Sequence, residues 1–144
     1  MEFSKIILCG LLLGAAGTDL AWRRIPNGLI CSGLAAFLTM AARQCLLRDM
    51  AGLIGCMAAG TLAFALHWIP YLRKSMGAGD VKLALVTGLL LGWEDWLKYL
   101  EVFCIFSLIV SGALWILRKD RTVTLPLAPV MAAACIACQL MDIV

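Results

Sequence analysis

Six apolar stretches follow one another along the chain, roughly Phe3–Leu20, Gly28–Leu46, Met50–Ile69, Val81–Trp93, Trp96–Leu117 and Leu125–Ile143, with short polar breaks between them. A hydrocarbon core is crossed by about 20 consecutive apolar residues in a helix. The pattern therefore predicts an all-α fold: a polytopic membrane helix bundle of about six transmembrane helices. The fourth stretch is short for a full span. It must start deep in the protein or draw in part of the glycine-containing segment before it. Short breaks favour antiparallel neighbours. No soluble domain, long linker, repeat or low-complexity segment interrupts the series, so residues 1–144 read as a single transmembrane domain. Lys5 followed by "IILCGLLLGAAG" has the look of a signal peptide. That run leads straight into Asp19, however, and is read here as a retained helix.

Composition points the same way. The chain is 63% hydrophobic and 15% charged, with a mean hydropathy of +0.97, whereas soluble domains are roughly 45–50% apolar and about 25% charged. A soluble fold of this size has too little interior for so many apolar side chains, so membrane lipid must solvate most of them. The net charge of +3 is too small to indicate a nucleic-acid partner. Instead the charges orient the chain. Arg23, Arg24, Arg73, Lys74, Arg118, Lys119 and Arg121 gather after the first, third and fifth stretches. A mixed set, including Glu2, Lys5, Arg43, Arg48, Asp49, Glu94, Asp95, Lys98 and Asp142, lies at the other ends. The positive-inside rule then makes the first set cytoplasmic and puts both termini outside. Trp22, Trp68, Trp93, Trp96 and Trp115 fall near stretch ends, as an interfacial belt or bulk packing requires.

The seven cysteines are scattered through the apolar runs, which argues against a disulfide framework. Cys135 and Cys138 form a C-x-x-C, but no second pair accompanies them to complete a zinc site. The lone histidine, His67, has no ligand spacing around it and reads as an interfacial or packed side chain. Neither a metal nor a cofactor is expected.

Two acids stand apart from the loop carboxylates. Asp19 closes the first apolar run and Asp80 opens the fourth, both toward the side expected to be cytoplasmic. Charge is costly at membrane depth, about 2.5–3.5 kcal/mol at a helix centre and less near an end. The pair therefore reads either as two capping or snorkelling acids or as a functional pair meeting across the bundle. Two carboxylates sharing a site hold one proton between them, giving a base and an acid side by side. That arrangement suits activation of water and protonation of a leaving amine, as peptide hydrolysis requires. Gly77 and Gly79 flank the second acid in "SMGAGDVKL". They allow close backbone approach and unusual dihedrals, which would let an extended substrate lie against Asp80. A plain turn with Asp80 as helix cap is the alternative.

The segments "TDLAWRRIPNGL" (Thr18 to Leu29) and "GAGDVKLALVTGLLLGW" (Gly77 to Trp93), in this order, resemble the type IV prepilin peptidase family of GxGD-type membrane aspartyl proteases. "LPLAPVMAAA" (Leu125 to Ala134) resembles that family's proline-containing last helix. The resemblance implies that Asp19 and Asp80 are the catalytic aspartates. It implies that Pro26 and Asn27 form the turn after the first, and that Gly77, Gly79 and Lys82 shape the site around the second. Pro26 stiffens the chain and ends any helix behind it, and Asn27 is suited to cap the next helix. Lys82 reads equally as a holder of negative charge or a carbonyl and as a snorkelling lysine. The implied substrates are prepilin or pseudopilin precursors, cut at the cytoplasmic boundary of the inner membrane, between a short basic leader and a hydrophobic helix. Bifunctional relatives carry an N-terminal domain with paired cysteines and methylate the product. This chain lacks such a segment and resembles the short, peptidase-only form found in tight-adherence pilus systems. Two other readings stay open on the residues alone: a proton- or ion-coupled transport component, and a non-catalytic assembly subunit.

Overall fold

A computed structural model describes residues 2–118 and 127–141. Residues 119–126 and 142–144, which include Lys119 and Arg121 of the last basic cluster, Leu125, Pro126 and Asp142, lie outside the described residues. The fold is all-helical, as expected: α1 Glu2–Trp22, α2 Asn27–Leu46, α3 Met50–Leu72, α4 Ala78–Arg118 and α5 Leu127–Met141. The first four are long and apolar enough to cross a membrane, and α5 is a shorter apolar helix. The protein is a multi-pass membrane protein.

α4 is two rods joined. Its 41 residues would measure about 60 Å if straight, twice a hydrocarbon core of about 30 Å. Gly92 breaks it, with φ 76° and ψ 178°, a backbone region open essentially to glycine alone. The contacts of α3 show that the chain turns back there. Cys56 on α3 faces Gly92, Gly60 faces Leu89, and His67, farther along α3, packs its ring 6.0 Å from that of Phe103. If α4 ran straight on, Phe103 would lie far beyond the start of α3. The first rod therefore runs against α3 and the second returns alongside it, which gives the six rods read from the sequence. The first rod begins at Ala78, so the short fourth stretch does draw in part of its glycine segment.

Small residues set the packing of α3 on α4, as they must where lipid supplies no hydrophobic drive between helices. A Cβ on Gly88 would fall 2.7 Å from the Ala59 carbonyl oxygen and 2.8 Å from the Gly60 Cα, so the two backbones nearly touch. A Cβ on Gly33 would meet Val86 and Leu11, so α2 approaches both α1 and α4 there. Around these contacts Leu8, Leu12, Leu83, Val86, Trp96 and Met131 are fully buried. Trp96 thus belongs to the core and not to an interfacial belt, while Trp22 and Trp93 are exposed. His67 is a packed residue, with Nδ1 2.8 Å from the Ala63 carbonyl.

One end of the bundle is fastened by charge. Lys5 Nζ lies 3.1 Å from Asp95 Oδ2, both nearly buried, and Lys98 Nζ lies 3.9 Å from Oδ1. The Gln139 amide donates to the Lys5 carbonyl at 3.0 Å. The start of α1, the second rod of α4 and the end of α5 thus meet at one level, and α5 runs antiparallel to α1.

Candidate active site

The other end of the bundle carries the end of α1, the end of α3 and the start of α4. Asp19 lies in the last turn of α1, which Arg23 closes in a left-handed conformation (φ 49°) with its N–H donating to the Asp19 carbonyl at 2.9 Å. Thr18 turns its hydroxyl back onto the carbonyls of Gly14 and Ala15, at 3.1 and 3.0 Å, and is occupied there. Asp80 is the third residue of α4. Its backbone N–H donates to the Gly77 carbonyl at 3.2 Å, and its carboxylate accepts the Gly77 N–H in return. The carboxylate bond is the half of a capping box that a third-position acid supplies; Gly77, at the cap position, has no side chain to supply the other half. Asp80 is therefore not the cap residue itself.

Asp19 and Asp80 are both half-buried, and each carboxylate lies within electrostatic reach of the other. Among the described residues no hydrogen bond joins the two groups directly. Two acids distant in the chain thus share one end of the bundle and one field.

Two contacts hold the flanking segments together. Ile25, between the end of α1 and Pro26, lies against Gly79: a Cβ there would fall 3.1 Å from Ile25 Cβ and 3.4 Å from its Cδ1. Lys82 Nζ donates to Asn27 Oδ1 at 3.3 Å. All seven residues singled out in the sequence, Asp19, Pro26, Asn27, Gly77, Gly79, Asp80 and Lys82, therefore belong to two segments that touch.

Three local readings need correction. Asn27 does not cap α2. Pro26 holds the cap position in extended backbone (φ −64°, ψ 136°) with no side-chain cap bond, and Asn27 turns its amide oxygen to Lys82 instead. Neither Gly77 nor Gly79 adopts a positive φ, so their value is space and not an unusual dihedral. At Gly79 that space belongs to Ile25. At Gly77 it belongs to the Asp80 carboxylate, whose Oδ2 would lie 3.2 Å from an added Cβ. Lys82 has a protein partner, so its ammonium is not simply drawn out to water. Ile25 is the residue that sequence reasoning missed. The signal for it was the apolar residue opening Ile25-Pro26-Asn27 between two arginines and a proline, where a side chain of that kind needs something to cover.

The exposed Arg24, Arg73 and Lys74 lie at this same end, Lys74 with φ 56°. Among the described residues no group of three or more histidine, cysteine or acidic side chains is arranged to hold a metal ion.

The profile of the Type IV leader peptidase family matches residues 6–118. The prepilin leader peptidase/N-methyltransferase of Bacillus subtilis (strain 168) is similar at 33% identity over 143 residues, covering 93% of this chain and 54% of that protein. The chain thus spans about half the length of that curated relative. No solved structure matches the chain. The chain belongs to the Type IV leader peptidase family.

Proposed function

We propose that the protein is a membrane aspartyl endopeptidase that removes the short basic leader of type IV prepilin-like precursors. Asp19 and Asp80 are its catalytic pair. The observation that carries this reading is their meeting at one end of the bundle, within each other's field, on segments joined by Ile25–Gly79 and Asn27–Lys82. Two carboxylates sharing a site work with one proton between them, one serving as base and the other as acid. The ionised member takes a proton from water as it attacks the scissile carbonyl. The protonated member gives its proton to the departing amine. The proton balance closes within the pair, and neither a metal nor a cofactor enters the step.

The remaining residues shape the site. Gly77 leaves room for the Asp80 carboxylate, which accepts its N–H. Gly79 admits Ile25, Pro26 directs the chain into α2, and the Asn27–Lys82 bond ties the two segments. Both acids lie in terminal turns, where a substrate reaches them from the membrane boundary. A transport relay would sooner place them at mid-span. The basic residues at this end make it the cytoplasmic side of the inner membrane. Residues 1–144 form a single transmembrane peptidase domain in this reading.

The test is direct. The purified protein is incubated with candidate prepilin-like precursors and the products are mapped by mass spectrometry. A new N-terminus at the junction of basic leader and hydrophobic segment is expected. Intact precursors, or cuts within the hydrophobic segment, would overturn the reading.

A further inference from the structure

The chain that leaves α1 and enters α2 runs over the surface. Of residues 21–28, all but Ile25 are exposed, and Ile25 alone is turned inward. The backbone on either side fixes its direction. Arg23 takes a left-handed conformation, unfavourable for a residue with a side chain, and Pro26 locks its own φ. A segment held in this way has one path open to it.

Ile25 covers the neighbour of an aspartate. Its Cβ, Cγ1 and Cδ1 lie between 3.1 and 3.4 Å from where a Cβ on Gly79 would stand. Ile25 follows the last turn of α1, which carries Asp19, and Gly79 directly precedes Asp80. One contact therefore links the segment behind one acid to the backbone beside the other. The second link, Lys82 to Asn27, is a single bond of 3.3 Å from a long, rotatable side chain. It can follow a change in spacing. A β-branched side chain is stiff at χ1, and at Gly79 it meets backbone with no side chain to give way. The stiffer contact sets the spacing.

We propose that Ile25 is the positioning residue of the aspartate pair: packed on the Gly79 backbone, it fixes how near the end of α1 stands to the start of α4, and with it the spacing of Asp19 and Asp80. The proposal rests on the peptidase reading above. Ile25 is a hydrocarbon side chain and transfers no proton; it acts through the placement of the two acids. Reaction geometry is sensitive to such placement, since a shift of about 1 Å can cost about 100-fold in rate. The competing role, a plug in the space where an extended substrate would enter beside Gly79, predicts an effect of opposite sign.

Cleavage of a prepilin-like precursor is measured for the full chain with Ile25→Ala, Ile25→Val, Gly79→Ala, and Ile25→Ala combined with Gly79→Ala. Ile25→Ala is expected to lower kcat about 10–100-fold with KM changed by less than about twofold. Ile25→Val keeps the branch at Cβ and is expected to restore most of the rate. Gly79→Ala crowds Ile25 and is expected to lower kcat as well. In the combined variant the new methyl group takes up space that Cγ1 and Cδ1 leave, so its loss is expected to be smaller than the product of the two single losses. A higher kcat or a lower KM in Ile25→Ala would identify a plug and overturn the proposal, as would an unchanged rate or losses that multiply. A second measurement needs no substrate. In a background without the native cysteines, nitroxide labels at Leu20→Cys and Ala78→Cys, both exposed positions, report the spacing by pulsed electron paramagnetic resonance. One narrow distance is expected with Ile25 in place, and a shifted or broadened one with Ile25→Ala. An unchanged distribution would overturn the proposal. Failure of the protein with Ile25 and Gly79 intact to cleave any precursor would instead sink the peptidase reading, and the label distances would still decide whether Ile25 sets the spacing.

Discussion

Lys82 and Asn27 lie far apart in the chain, yet their side chains meet at 3.3 Å beside the two aspartates. A bond of this kind contributes about 0.5–1.5 kcal/mol net. If that energy positions the dyad, Lys82→Met and Asn27→Ala should each lower kcat by roughly 2–10-fold with little change in KM. The double variant should be no worse than the single ones. Multiplying losses, or an effect confined to KM, would show that the two residues act separately. The identities of these residues were legible in the sequence, because each lies in a short motif read locally. Their pairing was not, since one sequence carries no record of which distant side chains touch. The same gap hid the partner of Asp95, which read as a loop acid and proves to be buried against Lys5. Gly79 was recognised as a place of close approach, but what approaches it, Ile25, is visible only in three dimensions.

Among the elements, α4 decides the architecture. The sequence placed a break near Glu94 and Asp95, where charge interrupts the apolar run. The reversal is made by Gly92, and the two acids fall inside the returning rod. Hydropathy found the two spans because it responds to charge, and it missed the hinge because a glycine among leucines looks apolar. Gly92→Ala forces an L-residue into φ 76°, a strain of about 1–3 kcal/mol. Gly88→Ala drives a methyl into the Ala59 and Gly60 backbone, where no side chain can move aside. Overpacking of that kind is destabilising by about 1–3 kcal/mol or more. Both variants should lower the unfolding temperature in detergent, whereas Gly10→Ala, which meets nothing within 4 Å, should not. Equal unfolding temperatures for all three would contradict the assignment of Gly92 and Gly88 to the turn and the α3–α4 contact.

Across the whole molecule the two ends differ in chemistry. One holds both aspartates and exposed Arg24, Arg73 and Lys74, and the other holds the buried Lys5–Asp95 pair. Removing one member of a buried ion pair strands the other, with a loss of about 3–5 kcal/mol. Lys5→Met should therefore unfold well below wild type, and an unchanged unfolding temperature would refute this role for the pair. In a background without the native cysteines, Arg24→Cys should react with an impermeant maleimide only from the cytoplasmic side and Arg48→Cys only from the opposite side. Labelling of both from one side would invert or abolish the proposed orientation. The six rods were readable from hydropathy, because the bilayer imposes apolar stretches of that length on the sequence directly. The convergence of α1 and α4 at the aspartates was readable only through the family motifs. The central claim is that Asp19 and Asp80 act as one unit, and the measurement that bears on it most directly is prepilin cleavage by Asp19→Asn, Asp80→Asn and the double variant, each checked for insertion and fold. The account predicts that either single change abolishes turnover and that the double change removes nothing further. Near-normal turnover in either single variant, or losses that multiply, would contradict it.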